Sequence, residues 1–407
     1  MAQDKDSKNL NVPPLRFPGF TDEWKNVTFK EVVTLQRGSS PRPIVNYITH
    51  DDSGLNWIRI GDMPSIGRIV TQTEEKITVV GALKSRHVNI GDLILSNSMS
   101  FGQPYIMGIE GYIHDGWFVL KNFEKHIERD FLCNLLIAPI IQKQYAKLAA
   151  GGVVQNISSE LVNSVKFSIP IFSEQKKIVS LLNAIDERIA TQNKIIDNLQ
   201  SLIKGLAKTH YDNCHRLYFV KIRNLGKSYT VMNLSKEQLS DCGRPCILYG
   251  ELFTQYGPII DEIVSKTNVT GNLTLSSGRD LLFPSSTTVD ALSLIAPSAL
   301  TKSNIILAGD MFGIKVSDEY SPEYLSYYFN YIGMRDLAKY AIGSTIIHLH
   351  YKDIAEYTIK IPSINEQKAF VKLASFVKRK IDVEKNLLHN LTELKRNIIL
   401  INQSHII

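Results

Sequence analysis

A repeat with a period of 192 residues is the sequence feature that most constrains the fold of this chain. The segment from Ile169 to Lys176 reads Ile-Pro-Ile-Phe-Ser-Glu-Gln-Lys, and the segment from Ile361 to Lys368 reads Ile-Pro-Ser-Ile-Asn-Glu-Gln-Lys. Their glutamates set the offset (366 − 174 = 192), which holds without a gap to about Tyr211 and about Ile401. A repeat of this length predicts a tandem of two similar halves.

Each repeated segment predicts the start of a long helix. A proline ends a strand-like apolar run, and Ser173 or Asn365 then stands where an N-cap is expected. Glu174 and Glu366 place negative charge in the first turn, where the helix dipole favours it. We therefore predict helices over 173–211 and 364–401.

Apolar residues recur along both helices at steps of three and four, the spacing of a coiled-coil seam. The seam positions are Ile178, Leu182, Ile185, Ile189, Gln192, Ile196, Leu199, Ile203 and Leu206 in one helix and Phe370, Ala374, Val377, Ile381, Glu384, Leu388, Leu391, Lys395 and Ile398 in the other. Both seams have their polar break at the same place, Gln192 and Glu384. The sequence favours two helices packed on each other, and the alternative is that each packs on its own domain.

Length and composition limit the classes of protein that this chain can belong to. A chain of 407 residues predicts two or three domains, and 44% hydrophobic with 21% charged residues is typical of a globular protein. The net charge of +6 permits an acidic partner without requiring one. Four cysteines without a disulfide pattern, a polar start and the lack of a long apolar run predict a cytoplasmic protein.

The two globular parts share a weaker repeat. Predicted elements of the first part are strands at 57–60, 76–80, 92–95 and 117–120 and a helix from Phe131 to Ala150. The segments 57–63, 91–96 and 131–132 match 246–252, 279–283 and 324–325 in the second part. The helices thus repeat closely while the loops diverge, as two related modules that read different targets would.

The sequence offers no convincing active site, metal site or cofactor site. Gly226-Lys227-Ser228 resembles the end of a phosphate-binding loop, but position 221 is lysine instead of the required glycine. Cys242 and Cys246 have metal-like spacing without a second pair nearby. We therefore expect a chain that is not an enzyme and holds neither metal nor cofactor.

Polar loops in both globular parts suggest DNA as the ligand. Arginine, asparagine and glutamine can pair with base edges, while serine, threonine and lysine hold phosphates. The candidate DNA-binding residues are Arg37, Arg42, Arg59, Lys84, Arg86, Ser96, Asn97, Ser98, Gln103, Gln155 and Asn156 in the first part, and Gln255, Tyr256, Arg279, Ser285, Ser286, Thr287, Lys302, Asn304, Ser344, Thr345 and His348 in the second. For any one of them, a solvated loop is an equally good interpretation. A coiled-coil scaffold without DNA binding and a chain with a hidden nuclease centre remain the alternatives.

The chain resembles the specificity subunit of type I restriction-modification systems from about Phe17 onward. The stretch from Val12 to Trp24 is similar to a common start in that family, and the two Ile-Pro…Glu-Gln-Lys openings are similar to its central and C-terminal conserved regions. The resemblance implies an α/β fold with two similar target recognition domains, each followed by a long helix. The two helices would pack as an antiparallel coiled coil with pseudo-twofold symmetry, which would bring Gln192 and Glu384 together and fix the register.

The same resemblance implies the boundaries of the domains. They are a flexible lead at 1–16, target recognition domain 1 at 17–172, the central helix at 173–211, target recognition domain 2 at 212–363, the C-terminal helix at 364–401 and a tail at 402–407.

The resemblance also implies a function and a set of partners. The chain would bind a split site on double-stranded DNA, one half-site per domain, with the helices setting the spacer. It would dock two methyltransferase subunits, and restriction subunits in the full complex. Use of S-adenosylmethionine, ATP and Mg²⁺ would belong to those partners. The loops after Gly151 and Gly343 differ in sequence, so the two domains are not expected to contact bases in the same way.

Overall fold

The computed structural model describes residues 13, 15–64, 67–97, 102–149, 157–231 and 234–401. The chain divides into two compact units, the first formed by residues 1–191 with 388–407 and the second by residues 192–387. Two long helices cross this division, so each unit contains one half of each. The candidate residues Ser98, Gln155 and Asn156 and the predicted tail lie outside the described residues.

The first unit is built on mixed sheets of short strands. The strands are β1 (Lys25–Thr28), β2 (Thr34–Arg37), β3 (Ile48–Thr49), β4 (Leu55–Ile58), β5 (Ile69–Val70), β6 (Glu75–Ile77), β7 (Arg86–Val88), β8 (Leu93–Ser96), β9 (Pro104–Met107), β10 (Gly111–Ile113), β11 (Trp117–Lys121) and β12 (Lys166–Ile169). One sheet has the order β3-β6-β4-β10-β7 and another the order β2-β11-β8-β9-β5, while β1 pairs with β12. The apolar residues of β8 and β11 are buried on both faces, which places these strands at the centre of the unit.

Most helices of the first unit share a core with the β1–β12 pair, whereas the short helix Val79–Ala82 packs on the sheet of β4 and β6. The helices of this unit are α1 (Phe29–Val32), α2 (Val79–Ala82), α3 (Arg129–Leu136), α4 (Pro139–Ala149), α5 (Ser159–Ser164) and the first half of α6 (Phe172–Asp212). One core joins α3, β12 and α6, with Phe131, Phe167 and Leu182 at its centre. A second core, around Trp117 and Ile58, lies among the strands.

The second unit repeats this strand plan. Its strands are β13 (Tyr218–Lys221), β14 (Gly226–Thr230), β15 (Leu239–Leu248), β16 (Ile259–Ile260), β17 (Ser265–Thr267), β18 (Leu275–Ser277), β19 (Asp280–Pro284), β20 (Ser286–Thr287), β21 (Ser298–Leu300), β22 (Ser303–Ala308), β23 (Met311–Val316), β24 (Ile347–His348) and β25 (Thr358–Ile361). The order β14-β23-β19-β21-β16 matches β2-β11-β8-β9-β5, and β17-β15-β22-β18 matches β6-β4-β10-β7. β13–β25 matches β1–β12, whereas the small pair β20–β24 has no counterpart among the described residues of the first unit.

The last four helices of the second unit repeat the order of the last four in the first, whereas its first two helices follow different strands. The helices of this unit are α7 (Glu251–Thr254), α8 (Ala291–Leu294), α9 (Pro322–Tyr331), α10 (Met334–Ala338), α11 (Tyr351–Ile354) and α12 (Ile364–Ile401). Helix α9 has the place of α3 and is rich in aromatic residues. Phe370 of α12 lies edge-on to Tyr324 and Tyr327, with ring centroids 5.8 and 5.5 Å apart.

The predicted seam is confirmed, because each of its positions in α6 and α12 is buried or half-buried. In the first unit, Ile398 packs in one core with Ile178 and Leu182, and Lys395 Nζ lies 2.5 Å from Asp186 Oδ1. In the second unit, Gln192 contacts Glu384, and His210 lies 5.2 Å from Phe370 between ring centroids. Later residues of α6 thus meet earlier residues of α12. The two helices therefore pack antiparallel, and the predicted fold class is confirmed in this respect.

The polar break of the seam is a direct contact within the second unit. Gln192 Nε2 donates to the carboxylate of Glu384 and, at 3.3 Å, to its backbone carbonyl. Lys380 adds an ion pair to the same carboxylate. The structure thus contains the hydrogen bond that the repeat predicts. Its role in fixing the register stays a prediction.

The glutamine of the repeated Glu-Gln-Lys segment anchors each helix start to its own unit. Gln175 is fully buried; its Oε1 accepts the backbone N–H of Glu128 at 2.8 Å, and its Nε2 donates to the carbonyl of Pro170 at 3.0 Å. Gln367 makes the same contacts with the N–H of Ser321, at 3.0 Å, and the carbonyl of Pro362, at 2.9 Å. The side chain thereby satisfies backbone groups that are out of reach of water. Sequence patterns assign the segment only to helix capping and do not reveal this role.

The glutamate of the same segment has different partners in the two units. Glu174 is buried and forms two 2.7 Å hydrogen bonds with Arg16, so the last residue of the predicted flexible lead is anchored. Glu366 instead accepts from the backbone and hydroxyl of Ser363 at 3.0 and 2.7 Å. Ser363 is therefore the cap of α12, and the prediction of Asn365 was wrong by two residues. Ser173 lies inside the first turn of α6, which begins at Phe172.

Two further sequence predictions need correction. The helix predicted from Phe131 to Ala150 is two helices, because Pro139 begins α4 and cannot donate the backbone hydrogen bond that would continue α3. The strand predicted to end at Val80 ends at Ile77, where Thr78 caps α2 through its side chain and the N–H of Gly81. The β-branched residues from Ile77 to Val80 favour a strand, and Thr78 was therefore not recognised as a helix cap.

Replacement of Gln367 by alanine is expected to lower the free energy of unfolding by about 2–5 kcal/mol. The substitution leaves the N–H of Ser321 and the carbonyl of Pro362 buried without their partner. Urea unfolding of the full chain measures the change. Lys368→Ala, at the exposed neighbouring position, is the matched control and should change stability by less than ~0.5 kcal/mol. Equal stability of the two variants would contradict the anchoring role.

Candidate nucleic-acid interface

A turn in the first unit brings several predicted DNA-binding residues together. The turn is His114-Asp115-Gly116, between β10 and β11, and we call it the Asp115 turn. The backbone carbonyl of Asp115 accepts from Asn97 Nδ2 at 2.9 Å and from Arg37 Nε at 3.3 Å. Its carboxylate accepts from Arg42 Nη2 at 2.9 Å. Three side chains, from the end of β2, the loop that follows it and the end of β8, are therefore held by one residue that is not among the sequence candidates.

The arrangement results from the strand order of the sheet. β11 lies between β2 and β8, with Phe118 opposite Arg37 and Trp117 opposite Ser96. The end of β2 approaches the turn closely, because a Cβ on Gly38 would lie 1.9 Å from the carbonyl oxygen of His114. Glycine is thus required at position 38, where any side chain would push Arg37 away from the turn. Arg86 joins the group by donating from Nε to the carbonyl of Arg37 at 3.2 Å.

His114 fixes the Asp115 turn from inside. Burial lowers the pKa of His114 below its usual value, against the opposing effect of the nearby Asp115 carboxylate. The neutral ring can accept a hydrogen bond, and its Nδ1 receives the N–H of Gly116 at 2.9 Å. The turn therefore keeps its shape with a neutral imidazole, and the positive charge at this surface comes from the arginines.

The exposures of the candidate residues separate them into two groups. Arg37, Arg42 and Arg86 are exposed, as a side chain that reaches DNA must be. Ser96, Asn97 and Ser285 are at most 5% exposed, so their side chains are held inside the units in this conformation. The buried residues sit at the ends of β8 and β19 and shape the surface instead of presenting a donor to a base.

Three other candidates of the first unit, Arg59, Lys84 and Gln103, have partners outside the Asp115 turn. Arg59 pairs with Glu74 and Glu75 at 2.7 and 2.8 Å, so its guanidinium is already engaged in this state. Lys84 is exposed and donates from Nζ to the hydroxyl of Tyr47 at 2.9 Å. Gln103 is half-buried, and its carbonyl accepts the N–H of Ser96 at 3.0 Å. DNA contact by these three residues stays a prediction.

The second unit distributes its candidates to opposite ends of β19. Ser285, Ser286 and Thr287 come after the strand, whereas Arg279 precedes it. β21 runs antiparallel to β19 with Leu300 opposite Asp280, so Lys302 and Asn304 lie at the Arg279 end. The guanidinium of Arg279 donates to the carbonyls of Val316, Ser317 and Tyr320 at 2.6–3.2 Å, as a structural clamp would. The candidates of this unit therefore do not form one surface.

The end of β19 that corresponds to the Asp115 turn carries the small β20–β24 pair. Ser286 lies opposite His348 and Thr287 opposite Ile347, and the exposed Ser344 and Thr345 precede β24. Thr287 and Tyr256 also line a cavity of about 450 Å³, and the exposed Gln255 adjoins Tyr256 at the end of α7. Hydroxyl groups and one histidine thus replace the arginines of the first unit.

Sequence reasoning missed Asp115, although the hydroxyl of Ser40, in the predicted polar loop from Arg37 to Arg42, donates to its carboxylate at 3.3 Å. A signal was present, because Asp115-Gly116 between the apolar runs 111–113 and 117–120 is a typical turn sequence. Asp115 was missed because the candidates were chosen as residues that bind bases or phosphates, and a carboxylate repels phosphate.

The decisive comparison is with protein families. The model described as "Type I restriction modification DNA specificity domain" matches residues 21–201 and 253–393, which is most of the chain and one match in each half. The chain belongs to this family. Specificity subunits of this family are generally non-catalytic. The paired match agrees with the repeated strand order of the two units.

Individual relatives cover nearly the whole chain. A protein of Methanocaldococcus jannaschii, named as the MjaX specificity subunit of a type I restriction enzyme, is 23% identical over 378 residues, which are 88% of this chain and 85% of that one. A solved structure titled for complex assembly and conformational transition of the type I R-M system has a TM-score of 0.59 at 14% identity and covers 95% of this chain and 98% of its own. The S subunit of a type I restriction-modification system from M. genitalium has a TM-score of 0.51 at 14% identity, with coverages of 96% and 99%. These structures support the fold of this specificity subunit.

The described part of the chain contains neither a membrane-spanning helix nor a cluster of metal ligands. No helix there is long and apolar enough to cross a membrane. Within the same residues, no three His, Cys, Asp or Glu side chains are grouped so that they could hold a metal ion.

Asp115→Asn is expected to reduce the preference for the cognate duplex over a scrambled one by about tenfold, because a well-placed base contact is worth on the order of 1–3 kcal/mol. The variant removes the charge that holds Arg42 and one negative charge near the phosphates, so binding to scrambled DNA should strengthen. Stability should change by less than ~1 kcal/mol, since both partners are exposed. Binding isotherms on both duplexes measure the ratio, with the exposed Glu124→Gln as control. An unchanged ratio would show that the Asp115 turn does not organise reading.

Proposed function

We propose that this specificity subunit reads a bipartite site on double-stranded DNA, with one half-site for each unit. The proposal rests on one observation: the strands of the two units are arranged alike, but the side chains at the corresponding surfaces differ in chemistry. The two units have the same strand order, but the central strands β8 and β19 end in different side chains. Arginines surround the end of β8, and hydroxyl groups surround the end of β19. Two readers of one kind, each with its own sequence preference, would be built in this way.

The chemistry of the first unit suits guanine and phosphate. An arginine can donate two hydrogen bonds to O6 and N7 of guanine, and exposed guanidinium groups also hold phosphate oxygens. The ion pair between Arg42 and Asp115 is exposed and therefore contributes little stability, so Arg42 can exchange Asp115 for DNA at small cost. The contact of Arg37 with the backbone of Asp115 leaves its Nη atoms for a base or phosphate.

The long helices are proposed to set the spacer between the half-sites. Each spans about 60 Å at ~1.5 Å per residue, since α6 has 41 residues and α12 has 38. The antiparallel packing within each unit resists sliding of one helix along the other. A fixed helix pair of this kind gives a fixed spacer length.

The proposal assigns the chemistry to partner subunits. Two methyltransferase subunits would dock on this chain and methylate adenine with S-adenosylmethionine, and restriction subunits would add ATP- and Mg²⁺-dependent cleavage. The support is membership of the specificity family together with a sequence that has neither an Asn-Pro-Pro-aromatic motif nor a glycine-rich methyl-donor loop, and in which the phosphate-binding loop is incomplete. The four cysteines are free thiols, as expected for work on DNA in the cytoplasm.

A mobility-shift experiment separates this proposal from its rivals. The chain, with and without its methyltransferase subunits, is incubated with a pool of random duplexes and labelled S-adenosylmethionine. We expect retention of selected duplexes by the complex and methyl transfer only when the partner is present. A scaffold without DNA reading would retain no sequence selectively, and a hidden nuclease would degrade the pool with Mg²⁺ alone. Methyl transfer by this chain by itself would refute the assignment of roles.

A further inference from the structure

Four exposed aliphatic side chains surround the β20–β24 pair of the second unit. They are Val289, Leu292, Ile342 and Ile346, with exposures of 71%, 45%, 73% and 50%, and we call them the aliphatic face. β20 and β24 run antiparallel with Thr287 opposite Ile347, so the turn after Thr287 lies beside the residues before Ile347. α8, which contains Leu292, packs against both strands. The four side chains therefore belong to one end of the unit.

The backbone holds this face in a defined shape. Ile342 and His348 exchange backbone hydrogen bonds of 2.9 and 2.8 Å, which close the loop that contains Ile346. Gly343 has a φ of +139°, and a Cβ there would lie 1.9 Å from the carbonyl of Ile346, so only glycine permits the loop. The N–H of Leu349 bonds to the carbonyl of Ser285 at 2.9 Å, which ties the loop to the end of β19. Several exposed aliphatic groups on a loop of fixed shape are typical of a binding surface.

Hydroxyl groups accompany these aliphatic side chains on β20 and in the loop before β24, and the exposed His348 lies opposite Ser286. Ser286 and Thr287 are half-buried on β20, and Ser344 and Thr345 are exposed on the loop. The carboxylate of the nearby Asp290 caps α8 by accepting the N–H of Ser293 at 2.7 Å. A surface that alternates methyl groups with hydroxyl donors matches the major-groove edge of thymine, which presents its C5-methyl beside the O4 acceptor. A guanine–cytosine pair offers no methyl group at that edge.

The geometry points to thymine methyl groups as the ligand of the aliphatic face, so that the second unit reads A·T pairs by apolar contact while the first unit reads through arginines. This inference rests on the proposed function as a DNA reader and specifies the base chemistry of one half-site. Ile342 and Ile346 would be its specificity-determining residues. Leu83, an 84% exposed aliphatic residue at the end of α2 in the first unit, is the matched position outside this face.

Deoxyuridine substitution tests the inference in the complex with the methyltransferase subunits. The selected duplex is compared with duplexes in which deoxyuridine replaces thymine in one half-site or the other, which removes only the methyl groups. We expect affinity to fall about fourfold for each contacted thymine in the half-site of the second unit. The same change in the half-site of the first unit should alter affinity by less than twofold.

Variants of the aliphatic face test whether Ile342 and Ile346 cause the preference for thymine over deoxyuridine. Ile346→Ser and Ile342→Ser should bring the thymine-to-deoxyuridine affinity ratio in that half-site close to one, while Leu83→Ser should leave the ratio unchanged. Equal affinity for thymine and deoxyuridine with the unaltered chain would overturn the inference, as would a second half-site without an A·T pair. Self-association of the chain that Ile342→Ser abolishes would also overturn it, by assigning the face to a second copy. Failure of the proposed function is distinct, because the thymine duplex itself would then not be preferred over a scrambled one.

Discussion

Exchange of residues 24–169 for the same part of another family member is expected to change the bases of one half-site and leave the other half-site and the spacer unchanged. The exchanged part contains the β1–β12 pair, the strand core and the Asp115 turn, and it ends before α6. Gln175 is retained and reaches only backbone groups of the exchanged part, the N–H of residue 128 and the carbonyl of residue 126. Backbone partners do not depend on the incoming side chains, so these contacts of Gln175 should survive the exchange, and a family member with apolar residues at positions 131 and 167 keeps the core against α6.

The size of the expected effect is large. Each mismatched base pair costs about 1–3 kcal/mol, so loss of a whole half-site should lower affinity for the original duplex by on the order of 100-fold or more. Sequencing of bound duplexes measures the change, and exchange of the second unit over residues 217–361 is the matched reciprocal variant. A graft that altered both half-sites together would contradict independent reading by the two units.

Insertion of four residues in each long helix is expected to lengthen the preferred spacer without changing the half-sites. The insertions are placed after Thr191 in α6 and Leu387 in α12, where the chain divides into its two units, so the packing within each unit is kept. Four residues add about 6 Å and rotate the remainder of the helix by about 40°. Two base pairs of B-DNA add about 7 Å and rotate the duplex by about 70°. The lengths agree closely, and the angles differ by an amount that twist of the DNA can absorb at some loss of affinity.

We therefore expect the paired insertion to prefer a spacer that is about two base pairs longer. A series of duplexes with fixed half-sites and spacers of increasing length measures the optimum. The same four residues inserted after Asp52, in the exposed turn between β3 and β4, are the control and should leave the optimum unchanged. If the paired insertion still binds the original spacer best, the helices do not set the spacing.

The sequence predicted the framework of this chain because a repeat supplies its own comparison. The offset of 192 located α6 and α12 to within two residues, and it identified Gln192 and Glu384 as equivalent positions before their contact was known. Matches such as 57–63 with 246–252 identified β4 and β15, which have the same neighbours in their sheets. Apolar periodicity sufficed here because it determines which face of a helix is buried.

The candidate site was less predictable because it depends on contacts between distant loops. The sequence around Asp115 does not indicate that its carbonyl accepts hydrogen bonds from Asn97 and Arg37, which are 18 and 78 residues away. Arg59 and Arg279 fit the pattern of DNA-binding residues, yet their donors are directed at glutamates and backbone carbonyls. Composition can select residue types for a binding surface, whereas the tertiary fold decides which of them remain available.

Sequencing of the duplexes that the complex of this chain with its methyltransferase subunits retains from a random pool tests the central claim most directly. We expect two short conserved elements separated by a spacer of fixed length and no base preference. An A·T-containing element should belong to the second unit, as shown by the exchange of residues 217–361. A single continuous element, a variable spacer or no enrichment would contradict the reading of a bipartite site by the two units.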